Sequence, residues 1–142
     1  MAQTVAPVVT GENPHLKIIR HLQSMGVRTA NTSDVCESDP NIRGYWQRNG
    51  ARFVVCFDNL EGDTEALFRT IRHEAIHVAQ TCNAGPLWPQ YASLNVQRAY
   101  DEGALLEAYP PHQHVTEAEA RVMANELDAH EILDLIKEHC NH

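Results

Sequence analysis

The chain has 142 residues, 43% of them hydrophobic, and a formal net charge of −8. That length suits one domain around one core. The negative charge argues against nucleic acid or an anionic membrane as the main partner, and no apolar run approaches the roughly 20 residues of a membrane span.

Residues 1 to 13 contain Pro7 and Gly11, show no sustained period and read as a tail. They have neither a basic start nor a long apolar stretch, so no secretory signal is expected. From His15 to Met25, Ile18, Leu22 and Met25 fall at helical spacing, and Gly26 can end the helix. His15 and His21 on it read as solvated or core-rim residues. Residues 27 to 43 read as short strands and loops, broken at Pro40. A hairpin follows, with "GYWQ" and "ARFVVCFD" flanking Asn49-Gly50, a pair that favours a tight primed turn. The run Arg52 to Phe57 is β-branched and aromatic and predicts a central strand.

The next helix is expected from about Thr64 to Cys82, capped by Asp63 or Thr64. Leu67, Phe68, Ile71, Ala75, Val78 and Cys82 form one apolar stripe, while His73, His77 and Gln80 lie on the other side. Residues 83 to 93 are loop-like. A helix is expected from about Leu94 to Tyr109, then a break, then a last helix from about Thr116 to Cys140. His139, Cys140 and His142 read as a frayed end, and Trp46 and Trp88 as core or loop anchors. The four cysteines, Cys36, Cys56, Cys82 and Cys140, are widely spaced and include no C-x-x-C pair. A reduced, cytoplasmic state is the simpler expectation, although an even count leaves pairing open. These elements predict a single α+β domain over residues 1–142, with residues 1–13 as a flexible tail.

Chemistry concentrates in "RHEAIH". His73, Glu74 and His77 spell H-E-x-x-H, and on a helix residues four apart share a face. Two imidazoles on one face with a carboxylate beside them suit a catalytic Zn2+, with Glu74 as the base for its water. With nine His and twelve Glu in the chain, an accidental match has odds of roughly one in twenty. The apolar stripe on the opposite face adds weight, because it turns the two His toward a cleft. A catalytic zinc takes a third protein ligand, for which His112, His114, Glu117, Glu119, Asp128 and His130 are candidates.

Over about residues 50 to 130 the chain resembles the gluzincin class of zinc metallopeptidases, including IrrE-type regulators and minimal gluzincin domains. The resemblance rests on H-E-x-x-H followed by Glu117-Ala118-Glu119-Ala120. It implies a zincin-like fold with a small mixed or antiparallel sheet, an active-site helix and a C-terminal ligand-bearing helix. It also implies Glu117 as third ligand, and a peptide or protein substrate. Arg121 stands where many of that class carry Asp or Asn. Local physics favours Glu117 too, because "TEAE" reads as a capping box in which Thr116 caps and Glu119 reaches back, leaving Glu117 free. Zinc would bring its water toward neutrality, and Glu74 would move the proton to the leaving amine. Tyr91, Tyr100, Tyr109, His112 and His114 are the candidates to stabilise the oxyanion. The strand Arg52–Phe57 is expected to offer an edge to an extended peptide, and Gln80 to orient a ligand or line the site. The alternative function is a non-catalytic zincin-fold binding or regulatory module that retains zinc. The oligomeric state is not legible.

Overall fold

The structure, a computed structural model, describes residues 12–88 and 114–141. It is a small α+β domain with a three-stranded mixed sheet. Helix α1 (Pro14–Ser24) starts where the Asn13 side chain accepts from the His15 N–H at 2.8 Å. It ends before Gly26, whose φ of +91° few other residues adopt. Ile18 and Leu22 are buried, as the spacing predicts. Strand β1 (Arg28–Ala30) and a short helix α2 (Asp34–Ser38) follow. Ser33 caps α2, a helix the sequence reading did not anticipate.

Strands β2 (Gly44–Gln47) and β3 (Arg52–Val55) form the expected antiparallel hairpin. Its connection is longer than a two-residue turn. Gln47 pairs with Arg52, and the positive φ angles fall at Gly50 and Ala51. The physical reason is β1, where the Arg28 N–H donates to the Ala51 carbonyl at 2.8 Å and the Arg28 guanidinium donates to the Gly50 carbonyl. The sheet order is β1-β3-β2, with β1 parallel to β3. Strand β3 is therefore central, and its edges are taken on both sides. The expectation that Arg52–Phe57 would receive an extended peptide is corrected: among the described residues, the free edge beside the motif helix belongs to β2.

Helix α3 (Thr64–Asn83) carries the motif. The Asp63 side chain accepts from the Ala66 N–H at 2.9 Å, and the helix closes with Ala84 in the left-handed region and the Gly85 N–H donating to the Gln80 carbonyl. Ile71, Ala75 and Val78 of the predicted stripe are buried, with Leu67, Phe68 and Cys82 at the core's margin. Strand β2 crosses α3 closely at Gly44, where a Cβ would lie 2.7 Å from Thr70 Cγ2 and 2.8 Å from the Val54 carbonyl oxygen. Only glycine permits that approach.

Helix α4 (His114–Glu126) packs on α3, as does helix α5 (Ala129–His139). The single helix expected over Thr116–Cys140 is thus two. Asp128 caps α5 and accepts from the Glu131 N–H at 2.9 Å, while Glu131 accepts from the Asp128 N–H at 3.0 Å. This reciprocal pair fixes a break between helices that the apolar period alone conceals. The helix expected over Leu94–Tyr109 lies outside the described residues.

Both pairs of cysteines are bonded, Cys36 to Cys56 and Cys82 to Cys140. The reduced state is corrected, and with it the basis for a cytoplasmic expectation. Spacings of 20 and 58 residues follow no motif, so sequence could not pair them. By loop closure such bonds stabilise by about 3 and about 4 kcal/mol. The second joins the end of α3 to the end of α5, so Cys140 is tied down rather than frayed. Among the described residues, no helix is long and apolar enough to cross a membrane.

Candidate metal centre

His73 and His77 project from one face of α3 toward Glu117, in the first turn of α4. His73 Nε2 lies 2.7 Å from Glu117 Oε1, and His77 Nε2 lies 2.9 Å from Glu117 Oε2. One carboxylate thus spans both imidazoles. A ligand atom from each residue lies within 4.8 Å of the other two. All three side chains are mostly enclosed, at 19%, 19% and 13% exposure. The donor set, two imidazole nitrogens and one carboxylate, is that of an open zinc site. Tetrahedral zinc would set its ligand atoms about 3.3 Å apart, so binding requires the two contacts to open by roughly half an ångström and their shared protons to leave.

The electrostatics follow from this clustering. Burial opposes the charged form of His77, but its hydrogen bond to Glu117 and the Glu74 and Glu117 charges outweigh that and lift its pKa to about 9. Burial also pushes the Glu117 carboxyl up, yet the hydrogen bonds and charges of His73 and His77 prevail and hold it well below the usual carboxylate range. Glu74 behaves oppositely. Burial pushes its carboxyl up, against the pull of His73, His77 and the Trp46 backbone N–H. A carboxyl with a raised proton affinity suits a general base.

Gln80 proves to be an organising residue. Its Nε2 donates to the Thr116 carbonyl at 2.9 Å and to Glu119 Oε1 at 2.8 Å. Its Oε1 therefore faces His77 Nδ1, 2.8 Å away, and Nδ1 must carry a proton. That leaves Nε2 as the nitrogen for a metal, the outer-shell arrangement common among ligating histidines.

The expected capping box at Thr116 is corrected. Helix α4 begins at His114, so Thr116 is already inside it. Glu119, 1% exposed, turns away from the Thr116 amide and accepts from Gln80 Nε2, the Leu87 N–H and the Trp88 N–H. The sequence reading missed this role. Its only signal is a Glu between Ala118 and Ala120, both fully buried. Glu117 reaches the site nonetheless. Of the other third-ligand candidates, Asp128 caps α5, Glu119 holds the 87–88 backbone, and neither Glu119, Asp128 nor His130 joins the cluster. Tyr91, Tyr100, Tyr109 and His112 lie outside the described residues, and only the backbone of His114 is described.

Two cavities meet at the centre, both lined by Gly44, Glu74 and Glu117. One, of about 710 Å³, runs past Tyr45, Trp46 and His77. The other, of about 500 Å³, runs past His73 and Arg121. Trp46 is fixed over the first by its Nε1–H donating to Thr81 Oγ1 at 2.9 Å.

A family profile matches residues 8–141. The chain belongs to DUF8637, a domain of unknown function. No curated protein and no solved structure matches it. Within this DUF8637 chain, the His73–His77–Glu117 cluster is the one group of candidate metal ligands among the described residues.

Proposed function

We propose that the domain is a zinc-dependent peptidase of gluzincin type with a zincin-like fold. The observation that carries this reading is the convergence of His73, His77 and Glu117, with Glu74 beside them where two cavities meet. His73 and His77 would hold zinc through Nε2, and Glu117 through its carboxylate. Bound there, zinc would acidify a water and polarise a peptide carbonyl. Glu74 takes the proton and returns it to the leaving amine, a task for which its raised pKa fits. The edge of β2, unpaired among the described residues, offers an extended peptide its backbone groups beside the centre. Two disulfides favour an oxidising compartment over the cytoplasm.

The test is Glu74→Gln against a peptide library. The variant is expected to keep the fold and the zinc while cleavage falls at least about 100-fold. Zinc binding with no cleavage by the wild type would instead make the domain a non-catalytic module that retains zinc. A protein that takes up no metal would overturn both readings.

A further inference from the structure

The two arms of the cleft differ in charge. The arm beside His73 is lined by three arginines, Arg43, Arg69 and Arg121. Arg43 precedes β2, Arg69 sits one turn before His73 on α3, and Arg121 one turn after Glu117 on α4. Among the described residues, the only carboxyl groups lining this arm are Glu74 and Glu117, and Glu117 is already shared between two imidazoles. Arg69 keeps a long contact of 3.4 Å to the exposed Glu65. Among the described residues, no carboxylate pairs with Arg43 or Arg121. Three of the chain's nine arginines thus gather in one cavity of a protein with a net charge of −8. Among the described residues, the other arm presents Tyr45, Trp46 and one arginine, Arg48.

We propose that the Arg43–Arg69–Arg121 arm binds a carboxylate of the peptide substrate. The carboxylate is either an Asp or Glu side chain beside the scissile bond or the peptide's own C-terminus. This inference rests on the peptidase reading and names its substrate class. Guanidinium forks match carboxylates geometrically, and unlike lysines they hold the group in a fixed plane. All three arginines reach solvent, so each contributes a modest factor, about threefold in affinity. The chain's overall negative charge repels such a ligand at long range, but physiological salt screens that beyond about 8 Å. The arginines act at contact distance.

The experiment uses the full chain with Glu74→Gln and added zinc, titrated with fluorescein-labelled peptides by anisotropy. The peptides are identical except at one position and at the C-terminus: Glu with an amidated end, Gln amidated, Lys amidated, and Gln with a free carboxylate. The Glu peptide, the free-acid peptide or both are expected to bind on the order of tenfold tighter than the amidated Gln peptide, and which one does so identifies the source of the carboxylate. Arg43→Gln and Arg121→Gln should each lower that preference about threefold without changing zinc content, and Arg121→Glu should shift it toward Lys. Arg121 is exposed, so these changes leave the fold intact by circular dichroism. Equal or absent binding of all four peptides would overturn the proposal, as would a preference that survives replacement of all three arginines. Cleavage by the wild type separates the two levels. Carboxylate-selective binding with no cleavage removes the peptidase and keeps the arm, whereas cleavage indifferent to carboxylates removes the arm and keeps the peptidase.

Discussion

Replacing Glu119 by Ala tests how the centre is braced. The carboxylate is 1% exposed and accepts from the Leu87 N–H at 2.8 Å, the Trp88 N–H at 3.1 Å and Gln80 Nε2 at 2.8 Å. An orphaned buried donor costs about 1–3 kcal/mol. Leu87 is buried, so its amide bears the full cost, while half-buried Trp88 can turn to water and Gln80 keeps the Thr116 carbonyl. The sum is about 3 kcal/mol, which at this chain length lowers Tm by roughly 10 °C. Because Gln80 keeps one acceptor, His77 stays oriented and zinc affinity should fall less than about tenfold. Glu117→Ala should do the reverse, with a loss of zinc beyond the roughly 100-fold of an outer-shell change. Thermal unfolding with disulfides intact and a zinc competition titration read both variants. The reasoning fails if Glu119→Ala leaves Tm unchanged, or if it empties the site while Glu117→Ala does not.

Gln80→Leu should leave the chain folded but weaken zinc about 10- to 100-fold, because His77 Nδ1–H loses its acceptor while Glu119 keeps the Leu87 and Trp88 N–H groups; a competition titration measures this. Zinc affinity should rise with pH by up to about tenfold per unit until pH passes about 9, since loading releases the proton that His77 holds there. In the metal-free protein the sign differs. The raised His77 value makes the pair's stabilisation full below 6.5 and lost as pH rises through about 9. Glu117, whose value is lowered, adds stability above its ordinary 4.5 that is lost in acid. His15 is a separate acid sensor. Burial and the neighbouring Arg72 hold its pKa down at about 4, so the stability it contributes is present above 6.5 and lost as pH falls toward 4. His15→Phe should flatten that part of a Tm–pH profile, since Phe keeps the stacking on Phe68 and cannot titrate.

The parts of the fold written in short-range patterns were legible. The motif helix declared itself through its period and the Asp63 cap, the hairpin through Asn49-Gly50, and the candidate ligand Glu117 through the resemblance of Glu117-Ala118-Glu119-Ala120 to the gluzincin pattern, while the capping-box argument for it failed. What escaped depends on contacts distant in sequence. The edge that faces the cleft is set by β1 inserting beside β3, which local propensity does not encode. The disulfides join residues 20 and 58 positions apart, with nothing local to pair them. The Thr116 capping box was a valid local signal that lost to a tertiary demand. Two backbone amides at Leu87 and Trp88 needed an acceptor, and Glu119 supplied it. Asp128 carried the equivalent local signal with Glu131, and there nothing competed.

The central claim is that His73, His77 and Glu117 hold one zinc. X-ray absorption at the zinc edge of the zinc-loaded full chain tests it most directly. The account predicts one zinc per chain, with two imidazole nitrogens and carboxylate and water oxygens at about 2.0–2.2 Å, and loss of the imidazole signal in a His73→Ala, His77→Ala variant. Sulfur scattering near 2.3 Å, an all-oxygen shell, or no uptake of zinc would contradict it.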